Sequence, residues 1–282
     1  MTMRRQAVEQ EGQAWSRHEA VEQNGLTWEK VAATHAVDRT LHETHARLEQ
    51  GTAYYVDSEL RAELEAIGLR GKVVAQFNCN NGRELISALQ LGADRGYGFD
   101  ISKGYVEQAE WLAESVGVPA EFLATDIYAL PDRYAGSADL VFVTAAAMCW
   151  MPDLRDYFAI AHRVLRPGGT LLIYETHPFA EMFKPDAHRE TDEPLVPHYH
   201  YGTNEPFVFD SRGDYYGNRE QGIEIAYWFH HSMSAIQQAT LDAGFEIRRV
   251  AEFDHDVCVG YRDLERIAVR PPLSFMLRCE RE

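Results

Sequence analysis

The feature that most constrains the fold is an alternation of short apolar runs with helical patterns between residues 71 and 175. The first run, residues 73–77, is almost wholly apolar, as a strand buried on both faces requires. Alternating strands and helices at this spacing predict an α/β fold with a parallel, doubly wound sheet. Further strands are predicted at residues 96–100, 121–126, 138–144 and 170–174, with a turn at 166–169.

The segments on either side of this core have different patterns. Apolar residues recur at helical spacing over residues 27–69, which predicts two or three helices. The first two dozen residues are polar and are predicted to form a solvated or frayed helix. Proline, histidine and aromatic residues are frequent in residues 176–222, as in a lid or binding element.

The predicted units are an N-terminal helical cap (1–70), a cofactor-binding core (71–175), an aromatic-rich lid insertion (176–228) and the C-terminal part of the core sheet (229–282). The elements predicted after the irregular segment are strands at 223–230, 245–253 and 273–278 and a helix at 232–243.

Charge and composition narrow the classes of partner. Lys and Arg number 27 against 44 Asp and Glu, a net charge of −17 that repels phosphate backbones and anionic lipid. We therefore expect a small-molecule substrate, with no nucleic acid and no membrane as a partner.

No apolar run reaches the roughly 18 residues of a membrane span, and no apolar signal core opens the chain, so a cytoplasmic protein is predicted. A homodimer is left open. The cysteines show no CxxC spacing, so neither disulfides nor a metal site is predicted.

The turn after the first predicted strand indicates the kind of cofactor. A GxGxxG motif uses glycines to bring the backbone close to a pyrophosphate, and residues 76–82 keep only Gly82. A cofactor without phosphates is favoured. Asp100 ends the next strand, where a carboxylate can accept both ribose hydroxyls, and Asp126 with Ile127 suits the amine and the face of an adenine. The alternative is that both aspartates are helix N-caps.

Five stretches resemble the class I S-adenosylmethionine-dependent methyltransferases: QFNCNNGRE, GYGFDIS, ATDIYALPD, ADLVFVTAAAMCWMPDL and LRPGGTLLIYETHPF. The resemblance implies a Rossmann-like seven-stranded sheet whose last strand is antiparallel. It also implies S-adenosyl-L-methionine as cofactor and S-adenosyl-L-homocysteine as product. Gln76 stands where the family usually has an acid, and Asn78 and Asn80 stand where glycines are common. The turn is similar to the Leu-Gln-Cys type of some small bacterial methyltransferases.

The resemblance also implies roles for individual residues. The turn would hold the methionine portion, Asp100 the ribose, and Asp126 with Ile127 the adenine, while Thr144 and Ala145 would border the methyl group. The predicted cofactor-binding residues are Gln76, Phe77, Asn78, Cys79, Gly82, Asp100, Ile101, Asp126, Ile127, Thr144 and Ala145.

Methyl transfer itself makes few demands on the protein. A sulfonium methyl is already activated, so the enzyme must hold an acceptor lone pair in line and exclude water. A base is needed only if the acceptor must lose a proton, and the predicted bases are His177 and His231. Packing or capping is the alternative for each. The predicted acceptor-binding residues are Tyr55, Trp150, Trp228 and His230. The alternative is helix packing for Tyr55, packing of the lid onto the sheet for the two tryptophans, and packing or capping for His230.

The sequence thus predicts a methyltransferase acting on an O, N, S or C nucleophile of a small organic acceptor by in-line SN2 transfer. Two other functions remain open. One is a Rossmann oxidoreductase that uses NAD, and the other is a non-catalytic protein that binds S-adenosylmethionine.

Overall fold

The computed structural model describes residues 15–37, 39–185, 195–210 and 225–282. The helices are α1 (Arg17–Val37), α2 (Arg39–Leu48), α3 (Ser58–Ile67), α4 (Arg83–Gln90), α5 (Lys103–Val116), α6 (Leu154–Val164) and α7 (Met233–Asp242). The strands are β1 (Val73–Phe77), β2 (Arg95–Asp100), β3 (Ala120–Ala124), β4 (Ala138–Thr144), β5 (Leu165–Thr176), β6 (Phe207–Asp210), β7 (Ile225–Trp228), β8 (Phe245–Phe253) and β9 (Ser274–Arg281).

Seven of these strands form one sheet in the order β3-β2-β1-β4-β5-β9-β8. Strands β1 to β5 are parallel, and β9 runs antiparallel to both β5 and β8. The predicted seven-stranded, Rossmann-like sheet with an antiparallel last strand is therefore confirmed. Because β1 lies between β2 and β4, the strand order reverses beside it, and the carboxyl ends of these strands meet at one edge.

Two apolar clusters cover the two faces of the sheet. One joins α6 and α7 to the sheet and contains Phe158 and Ile236, and the other joins α3, α4 and α5 and contains Leu64 and Leu112. Strand β4 contributes to both, with Val141 in the first and Leu140 in the second. Successive side chains of a strand point to opposite faces, so a central strand must be apolar on both sides. This requirement explains the apolar runs of the core.

Some predicted element boundaries were wrong. Strand β3 ends at Ala124, and a short 3-10 helix follows at Ile127–Ala129. The predicted turn at 166–169 belongs to the start of β5. Strand β7, which falls within the strand predicted at 223–230, does not join the main sheet. It pairs in a separate antiparallel ribbon with β6, which lies inside the segment predicted to be irregular.

The N-terminal helix is more firmly attached than its polar sequence predicted. Ala20 is fully buried, and Asn24 forms two hydrogen bonds with the backbone of Tyr227 on β7. The amide nitrogen of Asn24 donates to the carbonyl oxygen at 2.9 Å, and the Tyr227 N–H donates to Asn24 Oδ1 at 2.8 Å. The prediction of a solvated helix is therefore wrong for this part of α1.

Some predictions fall on residues outside the described ranges. These are the first 14 residues of the predicted helical cap and, in the predicted lid, residues 186–194 and 211–224. Among the described residues, no helix combines the length and apolar character needed to cross a membrane.

Candidate functional site

A cavity of about 690 Å³ runs along the carboxyl ends of the parallel strands. Its volume lies within the roughly 300–1,000 Å³ typical of small-molecule sites, and its place is where open α/β sheets bind ligands. Helices α1 and α2 and the turn before α3 close it from the other side. It brings together eight predicted cofactor residues and three predicted acceptor residues: Gln76, Asn78, Asp100, Ile101, Asp126, Ile127, Thr144 and Ala145, with Tyr55, Trp150 and Trp228.

Asp100, the last residue of β2, forms hydrogen bonds with the turn after β1 and with the turn after β2. Its carboxylate accepts the backbone N–H groups of Asn80 at 2.8 Å and Ser102 at 2.9 Å. Burial raises the pKa of Asp100 to about 6, and the backbone hydrogen bonds oppose that rise. The N-cap of α5 is Ser102, whose hydroxyl accepts the Tyr105 N–H, and not Asp100. The charged carboxylate of Asp100 therefore lies in the cavity with lone pairs left for a ligand.

Asp126 combines both roles considered for it. Its carboxylate accepts the Tyr128 N–H at 2.9 Å and so caps the short helix at Ile127–Ala129. It also lines the cavity beside the buried Ile127. Burial raises the pKa of Asp126, while the positive charge of Arg17 opposes this. An acceptor and an apolar surface thus lie side by side.

The turn after β1 explains why the chain departs from a glycine-rich motif. Asn78 and Asn80 have φ values of 52° and 51°, in the left-handed region that asparagine tolerates better than most residues. Asn78 is held there by Tyr157, whose hydroxyl donates to Asn78 Oδ1 at 2.8 Å. The asparagines supply the backbone geometry that glycines supply elsewhere.

Three predicted cofactor residues shape this turn without lining the cavity. Phe77 and Cys79 are fully buried, and the Cys79 N–H donates to the carbonyl oxygen of Phe99 at 3.0 Å. Gly82 has a φ of 72°, and a Cβ at this position would lie 2.6 Å from the ring of Phe122. The backbone turn, rather than these side chains, faces the site.

The hydrogen bonds of the Gln76 side chain show whether the site suits S-adenosylmethionine. Its side chain is 1% exposed, and its amide nitrogen donates to the Thr144 hydroxyl at 2.9 Å. Within the described residues its buried Oε1 has no hydrogen-bond partner, although Gln76 lines the cavity. A buried acceptor without a donor is costly unless a ligand supplies one. The amino group of a methionine portion is such a donor, so the residue present fits the cofactor.

The turn after β4 is held by a carboxylate that sequence reasoning missed. Ala145 and Ala146 have φ values of 47° and 61°, a strained region for alanine. Glu175 on β5 is 2% exposed and accepts the N–H groups of Ala146, Ala147 and Met148. Burial raises the pKa of Glu175 to about 7, against the effect of these hydrogen bonds. Its sequence signal was an acid at the end of an otherwise apolar strand.

The structure places both predicted histidine bases outside the cavity lining. His177 Nδ1 accepts the Phe179 N–H at 3.0 Å, and its Nε2 contacts Glu252 Oε1 at 3.0 Å. His231 Nε2 contacts the Met151 carbonyl oxygen at 2.8 Å. Burial lowers the pKa of both. Their contacts are those of structural residues, so this geometry gives their role as bases no support.

His230, a predicted acceptor residue, also lies outside the lining. Its ring is buried against Tyr199, Phe207 and Trp228, and burial lowers its pKa to about 4. Trp228 and Trp150 do line the cavity, as does Tyr55. The aromatic residues therefore divide into those that pack the β6–β7 ribbon and those that face the site.

Sequence reasoning missed several residues that line the cavity. The guanidinium groups of Arg47 and Arg83 lie over the rings of Tyr54 and Tyr55. Glu181 and Tyr261, from segments with no motif, also line the cavity. Only the tertiary structure brings these residues to the strand ends.

Comparison with known proteins identifies the domain. Residues 74–169 match the family model described as a methyltransferase domain. Malonyl-[acyl-carrier protein] O-methyltransferase from Hahella chejuensis is 45% identical over 74 residues, which are 26% of this chain and 25% of that protein. Ribosomal protein L11 methyltransferase from Vibrio vulnificus is 31% identical over 123 residues, 43% of this chain and 39% of that protein. The chain thus spans well under half the length of these two relatives.

Solved structures show the same fold. A putative S-adenosylmethionine-dependent methyltransferase from Listeria monocytogenes superposes with a TM-score of 0.56 at 17% identity, over 78% of this chain and 97% of that one. The family match over residues 74–169 covers strands β1 to β4, whose carboxyl ends line the cavity. Residues 74–169 therefore form a methyltransferase domain, and the fold is that of S-adenosylmethionine-dependent methyltransferases, as the sequence resemblance predicted.

Proposed function

We propose that this protein transfers the methyl group of S-adenosylmethionine to a small organic acceptor bound in the same cavity. The observation that carries this proposal is that one cavity is lined both by Asp100, Asp126 and Thr144 and by Glu181 and Tyr261. A cofactor and an acceptor could lie end to end along it.

Each part of the cofactor would meet a suitable group. The Asp100 carboxylate would accept the ribose hydroxyls, and Asp126 with Ile127 would hold the adenine. Gln76 Oε1 would accept from the amino group of the methionine portion. The guanidinium groups of Arg47 and Arg83 would bind its carboxylate, a pairing that is stronger than a neutral hydrogen bond.

The protein's part in the transfer would be to position the acceptor and exclude water. When bound, the cofactor supplies a methyl group already activated by its sulfonium. Thr144 and Ala145 would border that methyl, with Glu175 fixing the turn that carries Ala145. Trp150 and Trp228 would shield the reacting atoms from solvent.

The burial of the residues that line this part of the cavity favours a small acceptor over a macromolecule. Trp228 and Tyr261 are almost fully buried where they line it, which leaves room for a small compound rather than a folded partner. This differs from the L11 methyltransferase relative, whose name gives a ribosomal protein as substrate.

Calorimetric titration of the purified protein tests the proposal. We expect micromolar binding of S-adenosylmethionine and S-adenosylhomocysteine and none of NAD. Methyl transfer is then followed with radiolabelled S-adenosylmethionine and panels of small acceptors. Binding of NAD alone would favour the oxidoreductase alternative. Cofactor binding without transfer to any acceptor would favour a non-catalytic binding protein.

A further inference from the structure

Part of the cavity is lined by residues that the cofactor assignments leave unused. We call it the acceptor chamber and define it by the lining residues Cys149, Thr176, Glu181, Trp228, Cys258 and Tyr261. These residues come from the ends of β5 and β7 and from the loops after β4, β5 and β8. Trp228 and Tyr261 are aromatic, and Thr176, Glu181 and Tyr261 carry polar groups; specific small-molecule sites combine the two in this way.

Glu181 is the most unusual residue of this chamber. It lies in a short 3-10 helix at Ala180–Met182, and its side chain is more than nine-tenths buried. Ala180 is fully buried in an apolar cluster with Phe183 and Leu273, which fixes the position of the helix. Across the described residues, the Glu181 carboxyl is in no hydrogen bond or ion pair, although it borders the cavity. Glu181 keeps 7% exposure and borders the cavity, so a ligand there can reach its carboxyl and supply the hydrogen-bond donors that the described residues do not.

The hydroxyl of Tyr261 has the same property. Tyr261 is 2% exposed, and its hydroxyl oxygen has no hydrogen-bond partner within the described ranges. Its backbone is fixed, because its N–H donates to the carboxylate of Asp256 at 2.7 Å. Two rigidly held polar groups thus face the same enclosed space without satisfying each other.

The Glu181 carboxyl lies near another carboxyl group, that of Glu175. The charged group that acts on its carboxyl is Glu175, which repels it and, together with burial, raises the pKa of Glu181 well above its ordinary value. Burial raises the pKa of the Cys149 thiol and of the Tyr261 hydroxyl, and the Glu181 carboxylate adds to both shifts. Arg262 also lines the cavity, and within the described part of the chain its guanidinium forms no ion pair with Glu181. A cationic ligand would complement such a chamber.

We propose that the acceptor chamber binds a small compound through a protonated amine, which donates hydrogen bonds to the Glu181 carboxylate and the Tyr261 hydroxyl. The proposal rests on the proposed function and names the acceptor class. The rings of Trp228 and Tyr261 would strengthen the binding of the amine, because an ammonium group beside an aromatic face is attracted by the ring. Binding the cation deprotonates Glu181, so uptake of the amine releases a proton. The nearby titratable groups are Glu175, Cys149 and Cys258.

The test uses calorimetry on the full chain saturated with S-adenosylhomocysteine. The probes are benzylamine, 2-phenylethylamine and tryptamine, each paired with the alcohol that replaces its amine. At least one amine is expected to bind more than about tenfold tighter than its alcohol. Titration in buffers of different ionisation enthalpy should show a proton released on binding. Failure of all three amines to bind, or equal binding of amine and alcohol, would overturn the proposal.

Variants separate this inference from the proposed function. Glu181→Gln should weaken amine binding more than about tenfold and abolish proton release, because the amide cannot carry the charge. Tyr261→Phe should weaken binding by a smaller factor. Both should bind S-adenosylhomocysteine as the wild type does, which shows that the variants are folded. The matched control, Glu107→Gln on the exposed face of α5, should leave amine binding unchanged. If S-adenosylhomocysteine itself does not bind, the proposed function fails rather than this inference alone.

Discussion

The Glu175 carboxylate accepts a hydrogen bond from the backbone N–H of Ala147 at 2.7 Å and so joins the end of β5 to the turn after β4. The same carboxylate accepts the N–H groups of Ala146 and Met148. This turn carries Ala145, which lines the cavity with a φ of 47°. A buried acid therefore holds a strained backbone at the place where the methyl group would lie.

The burial of Glu175 predicts a pH dependence of stability. Burial raises its pKa from 4.5 to about 7, so the folded protein binds this proton more tightly than the unfolded chain. Its contribution to the free energy of unfolding is largest below pH 4.5, falls as the pH rises through 7, and is constant above that. Each pKa unit corresponds to ~1.4 kcal/mol.

Urea unfolding of the wild type and Glu175→Gln at pH 5, 6, 7 and 8 isolates this effect. Glu181 titrates in both proteins, so most of its contribution cancels in the difference. The wild type should lose stability relative to the variant as the pH rises. A difference that is independent of pH would show that Glu175 does not titrate in this way.

Asp100→Asn should weaken the binding of S-adenosylhomocysteine. The amide keeps the size of the side chain but loses the charge that would accept the ribose hydroxyls. A hydrogen bond to a charged group contributes about 1.5–3 kcal/mol, which corresponds to roughly a tenfold to hundredfold loss of affinity. Calorimetry measures it, with Asp254→Asn, a surface carboxylate paired with Arg270, as the control. Unchanged affinity in Asp100→Asn would refute the assignment of the ribose to this residue.

Gly82→Ala should destabilise the fold for two separable reasons. Its φ of 72° disfavours a side chain, and the new Cβ would lie 2.6 Å from the ring of Phe122. Gly117 has a nearly equal φ of 69° with nothing within 4 Å of its Cβ position. The loss of unfolding free energy in Gly82→Ala should therefore exceed that in Gly117→Ala by ~1–3 kcal/mol, the usual cost of overpacking. Equal losses would mean that Phe122 moves aside without cost.

His177→Ala should lower stability without changing cofactor affinity. The substitution leaves the N–H of Phe179 without its acceptor and removes the partner of Glu252. An unsatisfied buried donor costs about 1–3 kcal/mol. Thermal and urea unfolding measure the loss, and S-adenosylhomocysteine titration should match the wild type. A variant of normal stability whose cofactor affinity falls would place His177 in the site after all.

The core of the fold could be predicted from local sequence because its strands are apolar on both faces and end in polar turns. Asp100 and Asp126 were found for the same reason, since the carboxyl ends of parallel strands share one edge. The β6–β7 ribbon could not be found this way, because β6 lies in a part of the sequence without a regular apolar pattern. Glu181 and Tyr261 lie far apart in the chain, and their meeting in one cavity is a property of packing that no local pattern records.

The attachment of α1 was missed for a related reason. Its polar sequence predicted exposure, yet Asn24 satisfies the backbone of Tyr227 on β7, more than two hundred residues away. In the sequence, a polar residue whose side chain hydrogen-bonds to the backbone of a strand looks the same as a polar residue exposed to solvent. Polarity alone therefore could not locate this face of the cavity.

A crystal structure of the protein with S-adenosylhomocysteine is the decisive experiment for the proposed function. We expect ribose hydroxyls within hydrogen-bond distance of Asp100, the adenine beside Asp126 and Ile127, and the sulfur directed past Thr144 toward the acceptor chamber. S-adenosylhomocysteine bound elsewhere, or bound with its sulfur directed away from that chamber, would contradict it.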